Sequence, residues 1–453
     1  MSGKQEAPAG AGVHYVNGKH LARHIFMATL ARLDVERAMQ EKLRFSGDEL
    51  TAGDATVRIT RPPVIVAIGK AASRMASALH DLLQGRTAAG IVVSPAVPVR
   101  KVARFQYFAG GHPYPSPASL AGAEAALEAL AGLTPDDVVI FLISGGGSAL
   151  FERPLDENVR LEDLVEFNRV LVTGGLPIEQ MNVLRKHVSA VKGGRLGAAA
   201  FPARQITFYI SDVPDDCPSM VASGPSMPDE STCQQCYKIA ESSGILAQLP
   251  PRIRACFDEH SLEETPKPGD SRFSKSSYFC VLSNHDAVEA ARTEAAKLGF
   301  YVETEPGAWD GDYQEVIERA LQALDRCARK NPGRPVCLVG GGEVTCRVTG
   351  RGVGGRNLSL ALYAAQKIAG RDQVVLSGAT DGRDGNSPSC GAAADGHTVS
   401  RASALGLDPA DFLARSDAYH FFRTLGDTLE TGFTDNNVRD LRLLMSFESH
   451  SNS

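Results

Sequence analysis

The sequence predicts an α/β protein of strands and crossover helices, and three observations carry that prediction. Val138 to Ala149 reads V-V-I-F-L-I-S-G-G-G-S-A, six apolar residues followed by three glycines between two serines. Such a run describes a buried parallel strand that stops at a tight loop with exposed backbone. The design recurs, because V-I-V-A-I leads into Gly69-Lys70 and V-C-L-V leads into Gly340-Gly341-Gly342-Glu343. Helical periodicity also alternates with these short apolar strands along most of the chain, as crossover units require.

Length and composition narrow the class of function. At 453 residues the chain is long enough for two or three domains, each with its own core. Its net charge of -6, from 47 basic and 53 acidic residues, argues against nucleic acid or an anionic membrane surface as partner. No apolar run approaches the roughly eighteen residues of a membrane span, and the N-terminus lacks a secretory h-region or an Arg-rich presequence. A cytosolic protein with small-molecule partners is expected. Nine cysteines, an odd number scattered through apolar and helical contexts, read as reduced thiols. Cys233-Gln-Gln-Cys236 has metal or redox spacing, but no second pair or neighbouring histidine in the sequence completes it.

Taken in order, residues 1–13, rich in Ala, Gly and Pro, are expected to form a mobile tail. Leu21 to Leu43 is an amphipathic helix broken near Asp34. Val64 to Ile68 is the first strand, and Gly69-Lys70 opens a helix of small residues. A lysine in the first turn opposes the helix macrodipole, at a cost of about 0.3–1 kcal/mol, unless an anion sits there; the alternative is a side chain bent into solvent. Ile91 to Val93 is the second strand. Gly110-Gly111-His112-Pro113 closes a loop whose histidine reads as structural, and Ser119 to Leu130 is helical. After the Val138 strand, Gly145, Gly146 and Gly147 let several N–H groups converge on one anion, with phosphate the natural guest.

Leu161 to Val172 is helical, and Ile178 to Ala200 reads as a helix that Gly193-Gly194 interrupts. That reading sets Arg185 and Lys192 two turns apart on one face, with Arg195 beyond, a basic stripe for phosphate or carboxylate or else a solvated face. The strand Ile206 to Ile210 ends at Ser211-Asp212-Val213. A carboxylate at a strand's carboxyl end suits Mg²⁺ or a substrate hydroxyl, so Asp212 is a candidate, while Asp215 and Asp216 read as solvated. Prolines, glycines and charges from Pro250 to Ser277 mark a domain boundary, giving domains 1–265 and 276–453. The second part is expected to hold strands at 278–282, 301–303, 336–339 and 374–376. Helices at 286–298, 313–330 and 358–369 alternate with them, with glycine loops after its strands and Asp381 beyond the last.

Seven separated motifs, I-S-G-G-G-S-A-L (143–150), L-R-K-H-V-S-A-V-K-G-G-R-L (184–196), I-S-D-V-P (210–214), A-S-G-P (222–225), V-G-G-G-E (339–343), G-G-R-N (354–357) and G-A-T-D-G (378–382), together resemble the class II glycerate 2-kinases. The second half is similar to the MOFRL domain of that family. The resemblance implies a Rossmann-like N-terminal domain, an α/β MOFRL-type C-terminal domain and a cleft between them. It also implies transfer of the γ-phosphoryl of ATP, with Mg²⁺, to the 2-hydroxyl of D-glycerate. The family's candidate catalytic residues fall on Lys70 and Arg356, and replacing either by alanine is expected to cost turnover and leave folding intact. Two stretches depart from the family text: Leu358-Ser359 stands where Gln-Glu is usual, and Gly432 to Asn437 reads G-F-T-D-N-N in place of G-P-T-G-T-N.

Phosphoryl transfer asks for positioning and for neutralisation of spreading charge. Ser144, Gly145, Gly146, Gly147 and Ser148 are therefore assigned to the nucleotide phosphates, and Lys70 and Arg356 to the γ-phosphoryl. Lys192 and Arg195 are assigned to a phosphate or the substrate carboxylate, and Asp212 and Asp381 to Mg²⁺, with Asp212 also free to orient the hydroxyl. Two rival readings stay open: an NAD(P)-dependent hydroxypyruvate reductase, whose G-x-G-x-x-G fingerprint is missing from the loop G-K-A-A-S, and a non-catalytic small hydroxy-acid binding protein. A homodimer is left open.

Overall fold

Apolar β-branched runs too short for helices become the central strands, and the sheets they build define two units. The structure, a computed structural model, describes residues 18–447 apart from 215–216 and 306–308. The expectations for residues 1–13 and for Asp215 and Asp216 lie outside the described residues.

The first unit comprises Arg32–Asp286 and Thr434–Arg439. It opens with an antiparallel meander of β1 (Leu43–Ser46), β2 (Glu49–Ala52) and β3 (Ala55–Arg58). Its main sheet holds β4 (Val64–Ile68), β5 (Ala89–Ser94), β6 (Phe105–Ala109), β7 (Val138–Ile143), β8 (Arg204–Ile210) and β9 (Ser276–Leu282). All neighbours are parallel, in the order β6-β5-β4-β7-β8-β9. This is the doubly wound 3-2-1-4-5-6 arrangement, whose winding reverses between β4 and β7, so the loops after those two strands diverge and leave a crevice. Every residue of β7 is buried, which explains its unbroken apolar run. Caps set the helices: Asp34 accepts the Arg37 amide at 2.9 Å where the first helical stretch breaks, and Ser116 with Pro117 starts the helix Pro117–Leu130.

The second unit comprises Met1–Ala31, Ala287–Phe433 and Asp440–Ser453. Its strands are β10 (Tyr301–Thr304), β11 (Gly311–Asp312), β12 (Val336–Gly342), β13 (Val344–Thr345), β14 (Gln373–Ala379), β15 (Gly391–Asp395), β16 (Thr428–Leu429) and β17 (Asp440–Ser446). The main sheet runs β10-β12-β17-β14-β15-β16, parallel only at β10/β12, while β11 and β13 pair separately.

Several expectations need correction. The Pro250–Ser277 stretch is no boundary, because it supplies the helix Pro251–Asp258 and leads into β9, which pairs with β8 inside the first unit. The helix Gly18–Arg32, assigned to the first domain, contributes Ile25 and Phe26 to the core of the second unit, where Gly378 gives Phe26 room. Gly340, Gly341 and Gly342 are not a loop. They continue β12 against β17, and a Cβ at Gly340 would lie 2.3 Å from the buried indole of Trp309. The helix from Ile178 stops at Val188, so Lys192 does not share a helical face with Arg185.

Both family departures have local explanations. Leu358 is fully buried in the apolar cluster with Phe421 and Phe422, a place that would not suit glutamine. Phe433 is exposed, with the Arg383 guanidinium 5.9 Å from its ring centroid.

Candidate active site

The reversal point of the parallel sheet joins two loops by their own backbone. The Lys70 amide donates to the Gly145 carbonyl at 2.9 Å, and the Ser144 amide donates to the Ile68 carbonyl at 2.9 Å. Ser144 is buried, and its hydroxyl accepts from the Ala71 amide at 3.1 Å and donates to Ile68 O at 3.3 Å. Its side chain therefore staples the two loops together and does not face a ligand. Lys70 itself lies two residues before the helix Ala72–Leu82, outside the first turn where the sequence reading put it.

Around the glycines the approach is close. A Cβ at Gly145 would lie 2.1 Å from Asp212 Oδ2, which puts the carboxylate that follows β8 directly against the loop. A Cβ at Gly146, where φ is +82°, would lie 3.2 Å from Lys70 Cγ and 3.3 and 3.5 Å from His112 Cδ2 and Nε2. So Lys70, Asp212 and His112 all border the loop after β7, although the sequence reads His112 as a structural histidine. The signal was there: His112 follows a glycine pair at the carboxyl end of β6, on the same edge of the sheet as the loops after β4 and β7. Ser148 lies within 2.8 Å of Ser223 Oγ, which donates to Asn182 Oδ1 at 3.0 Å. A hydroxyl has one proton, so Ser148 supplies the proton of that contact and turns lone pairs outward, toward a cation or hydroxyl in preference to a phosphate oxygen.

Lys192 and Arg195 are engaged elsewhere. The Lys192 ammonium is 1 % exposed, paired with Glu152 and donating to Phe151 O at 3.2 Å; burial pushes its pKa down against the pull of that carboxylate. Arg195 donates to the Glu263 carbonyl at 2.8 Å. Both tie the Gly193-Gly194 segment to its surroundings. Near them His187, Cys233 and Glu264 have ligand-type atoms within 4.8 Å of one another, so a histidine does stand beside Cys233. The trio satisfies itself: Glu264 pairs with Lys267 at 2.8 Å and accepts from the Cys233 amide at 3.0 Å. Burial and Glu264 push the Cys233 thiol up to about 11.

In the second unit Arg356 begins the helix Arg356–Lys367 and meets Asp440 through two nitrogens, at 2.7 and 3.0 Å, and Glu343 at 2.5 Å. Burial opposes its charge, but Asp440 and Glu343 outweigh that and raise its pKa. Asp440 also takes a nitrogen of the buried Arg442 at 3.2 Å. Asp384 caps the same helix, accepting the amides of Leu358 at 2.8 Å and Asn357 at 3.2 Å. Asp381 accepts the Arg383 amide at 3.1 Å and shapes the turn after β14.

Burial, assisted by Asp440 and opposed by the Leu358 amide, raises the Asp384 carboxyl to about 7. Its ordinary value is about 3.9, so the folded chain retains a proton that the unfolded chain releases. The stability this contributes is complete below about pH 4 and is lost as pH rises through about 7. Asp384→Asn, which keeps the accepting oxygen, is expected to flatten that decline. Scanning calorimetry of both proteins at pH 5 and pH 8 checks it: an unchanged difference in Tm between them would contradict the raised carboxyl.

Comparison with known proteins bears on the family of the chain. A profile for DUF4147, a domain of unknown function, matches residues 21–258, and the MOFRL family profile matches residues 336–440. The D-glycerate 2-kinase of Thermotoga maritima is 35% identical over 386 residues, covering 83% of this chain and 89% of that protein. A protein of Agrobacterium vitis named putative hydroxypyruvate reductase is 34% identical, covering 95% of each chain. The crystal structure of a Thermotoga maritima glycerate kinase (EC 2.7.1.31) superposes with a TM-score of 0.80 at 32% identity, covering 94% of this chain and 99% of that one.

Proposed function

The chain belongs to the glycerate kinase family, and from that premise we propose that it transfers the γ-phosphoryl group of ATP to the 2-hydroxyl of D-glycerate, giving 2-phosphoglycerate and ADP. The observation that carries the reading is the gathering of Lys70 and Asp212 against the Gly145–Gly146 loop at the reversal point of a parallel sheet. Glycines there leave backbone N–H groups accessible to phosphate oxygens, and the Lys70 ammonium supplies the positive charge that a transferring phosphoryl needs.

We assign Gly145, Gly146 and Gly147 to the triphosphate, and Lys70 and Arg356 to charge developing on the γ-phosphoryl; Ser148, its proton spent on Ser223, is assigned to the cation that accompanies the phosphates and not to the phosphates themselves. Transfer passes through a loose, in-line transition state, so holding the acceptor oxygen in line matters more than making it a stronger nucleophile. Asp212 is suited to accept the hydrogen bond of the 2-hydroxyl and hold that oxygen in line. Mg²⁺, when bound, neutralises charge across the phosphates. It usually takes one or two carboxylates and completes its shell with phosphate and water, a demand that Asp212 fits. Asp381 is a weaker candidate because its carboxylate shapes its own turn. Lys192 and Arg195, engaged with Glu152 and Glu263, are assigned to holding the loop in place of gripping a ligand.

Among the described residues no helix is long and apolar enough to cross a membrane, in keeping with a cytosolic setting for small-molecule substrates. The reductase name that two relatives from Agrobacterium vitis carry favours the rival reading, yet the loop after β4 lacks the dinucleotide fingerprint. Incubation with D-glycerate, ATP and Mg²⁺, set beside hydroxypyruvate with NADH, separates the two. Phosphorus NMR of the product then distinguishes 2- from 3-phosphoglycerate, and a 3-phosphoglycerate signal would refute the assigned position.

Gly145→Ala is expected to drop kcat/KM about 100-fold, because its methyl group must push the Asp212 carboxylate aside and a displacement near 1 Å costs about that much. Steady-state kinetics on the folded variant checks it, and activity within threefold of the parent would remove Asp212 from the mechanism.

A further inference from the structure

We propose that His112 is a third ligand-contacting group of this site, its imidazole Nε2 donating a hydrogen bond to an anionic oxygen of the triphosphate seated over Gly146; the proposal rests on the kinase reading above.

The space that a side chain at Gly146 would fill is bounded by Lys70 Cγ at 3.2 Å and by the Cδ2–Nε2 edge of His112 at 3.3 and 3.5 Å. An oxygen entering that space lies against the Nε2-bearing edge of the imidazole and the aliphatic stem of Lys70, so the imidazole is the group that offers it a donor there. Any larger residue at position 146 would block it, and its φ of +82° also disfavours one.

The loop that carries His112 is held from several directions. The Gly110 amide donates to Ser94 O at 3.0 Å, extending the edge of β5, and the Gly111 amide donates to the buried Ser119 Oγ at 2.9 Å. A Cβ at Gly110 would lie 2.4 Å from the Leu150 carbonyl, so the loop backbone rests on the short helix that follows the glycines. The imidazole itself is exposed, while the backbone beneath it is fixed. That combination suits a residue that reaches a ligand without rearrangement.

Calorimetric titration with ATP and Mg²⁺, together with steady-state kinetics, tests the assignment on three variants. His112→Ala is expected to weaken ATP binding at least about tenfold and lower kcat/KM for ATP by a similar factor, with KM for D-glycerate within about twofold, as loss of one hydrogen bond to a charged group implies. His112→Gln, whose amide reaches the Nε2 position, is expected to recover most of the loss. His112→Asn, whose amide stops short of it, is expected to fall with alanine. Parental ATP binding in the alanine or asparagine variant, or a glutamine variant as weak as alanine, overturns the assignment. A parent protein that binds ATP but passes no phosphate to D-glycerate overturns the kinase reading instead, and the titrations still decide His112.

Discussion

Lys70→Ala is expected to lower kcat about 10³-fold while leaving Tm essentially unchanged. The side chain borders the glycine loop on a segment fixed by its backbone, since the Lys70 amide ties the loop after β4 to Gly145 O. Truncation therefore removes charge from the transferring group without dismantling the fold. Removal of one donor to a developing negative charge costs about 10²–10³, and loss of a cation at a transferring phosphoryl costs more. The diagnostic pattern is a fall in kcat with little change in KM for D-glycerate, the mark of a contact made mainly in the transition state. Near-parental kcat would dismiss Lys70 from catalysis.

Arg356→Ala is expected to lose turnover by a similar factor, and here the structure alters the expectation that folding stays intact. Asp440 is fully buried, and the variant takes away its two-nitrogen partner while the equally buried Arg442 stays beside it. Breaking one side of a buried ion pair typically costs about 3–5 kcal/mol, and the remaining arginine places the expected loss near the lower end, about 3 kcal/mol. Arg356→Lys separates the two effects. A lysine keeps the charge beside Asp440 but lacks the planar fork that meets it through two nitrogens, so it should regain part of the stability and little of the turnover. Urea unfolding and steady-state kinetics on both variants provide the readout. A stable alanine variant with parental turnover would contradict both roles.

Much of the first unit was legible in the sequence because its strands advertise themselves. A central parallel strand is buried on both faces, so β4 and β7 appear as unbroken β-branched runs, and the loops that follow them carry the glycines that close packing demands. The elements that went unread are those whose pattern depends on distant partners. The strands β1 to β3 are short and half exposed, β15 is an alanine-rich run, and β17 alternates charged and apolar residues that all become buried. Arg442 shows the difficulty: an arginine in an apolar stretch argues against a core strand until Asp440 and the Gly342 carbonyl are seen to receive it. At the site, residue types pointed to Lys70, Asp212 and the glycines. They could not reveal that the Lys192 charge is consumed by Glu152, forty positions away in sequence.

The antiparallel strand β17 lies between β12 and β14 and is made after every other strand of its sheet. During synthesis the parallel sheet of the first unit has all its strands once β9 leaves the ribosome, whereas the other sheet must wait with a gap at its middle and two unsatisfied edges. Nascent chains stalled before Asp440 should therefore hold one finished sheet and one exposed, adhesive half, the state in which this protein most needs a chaperone.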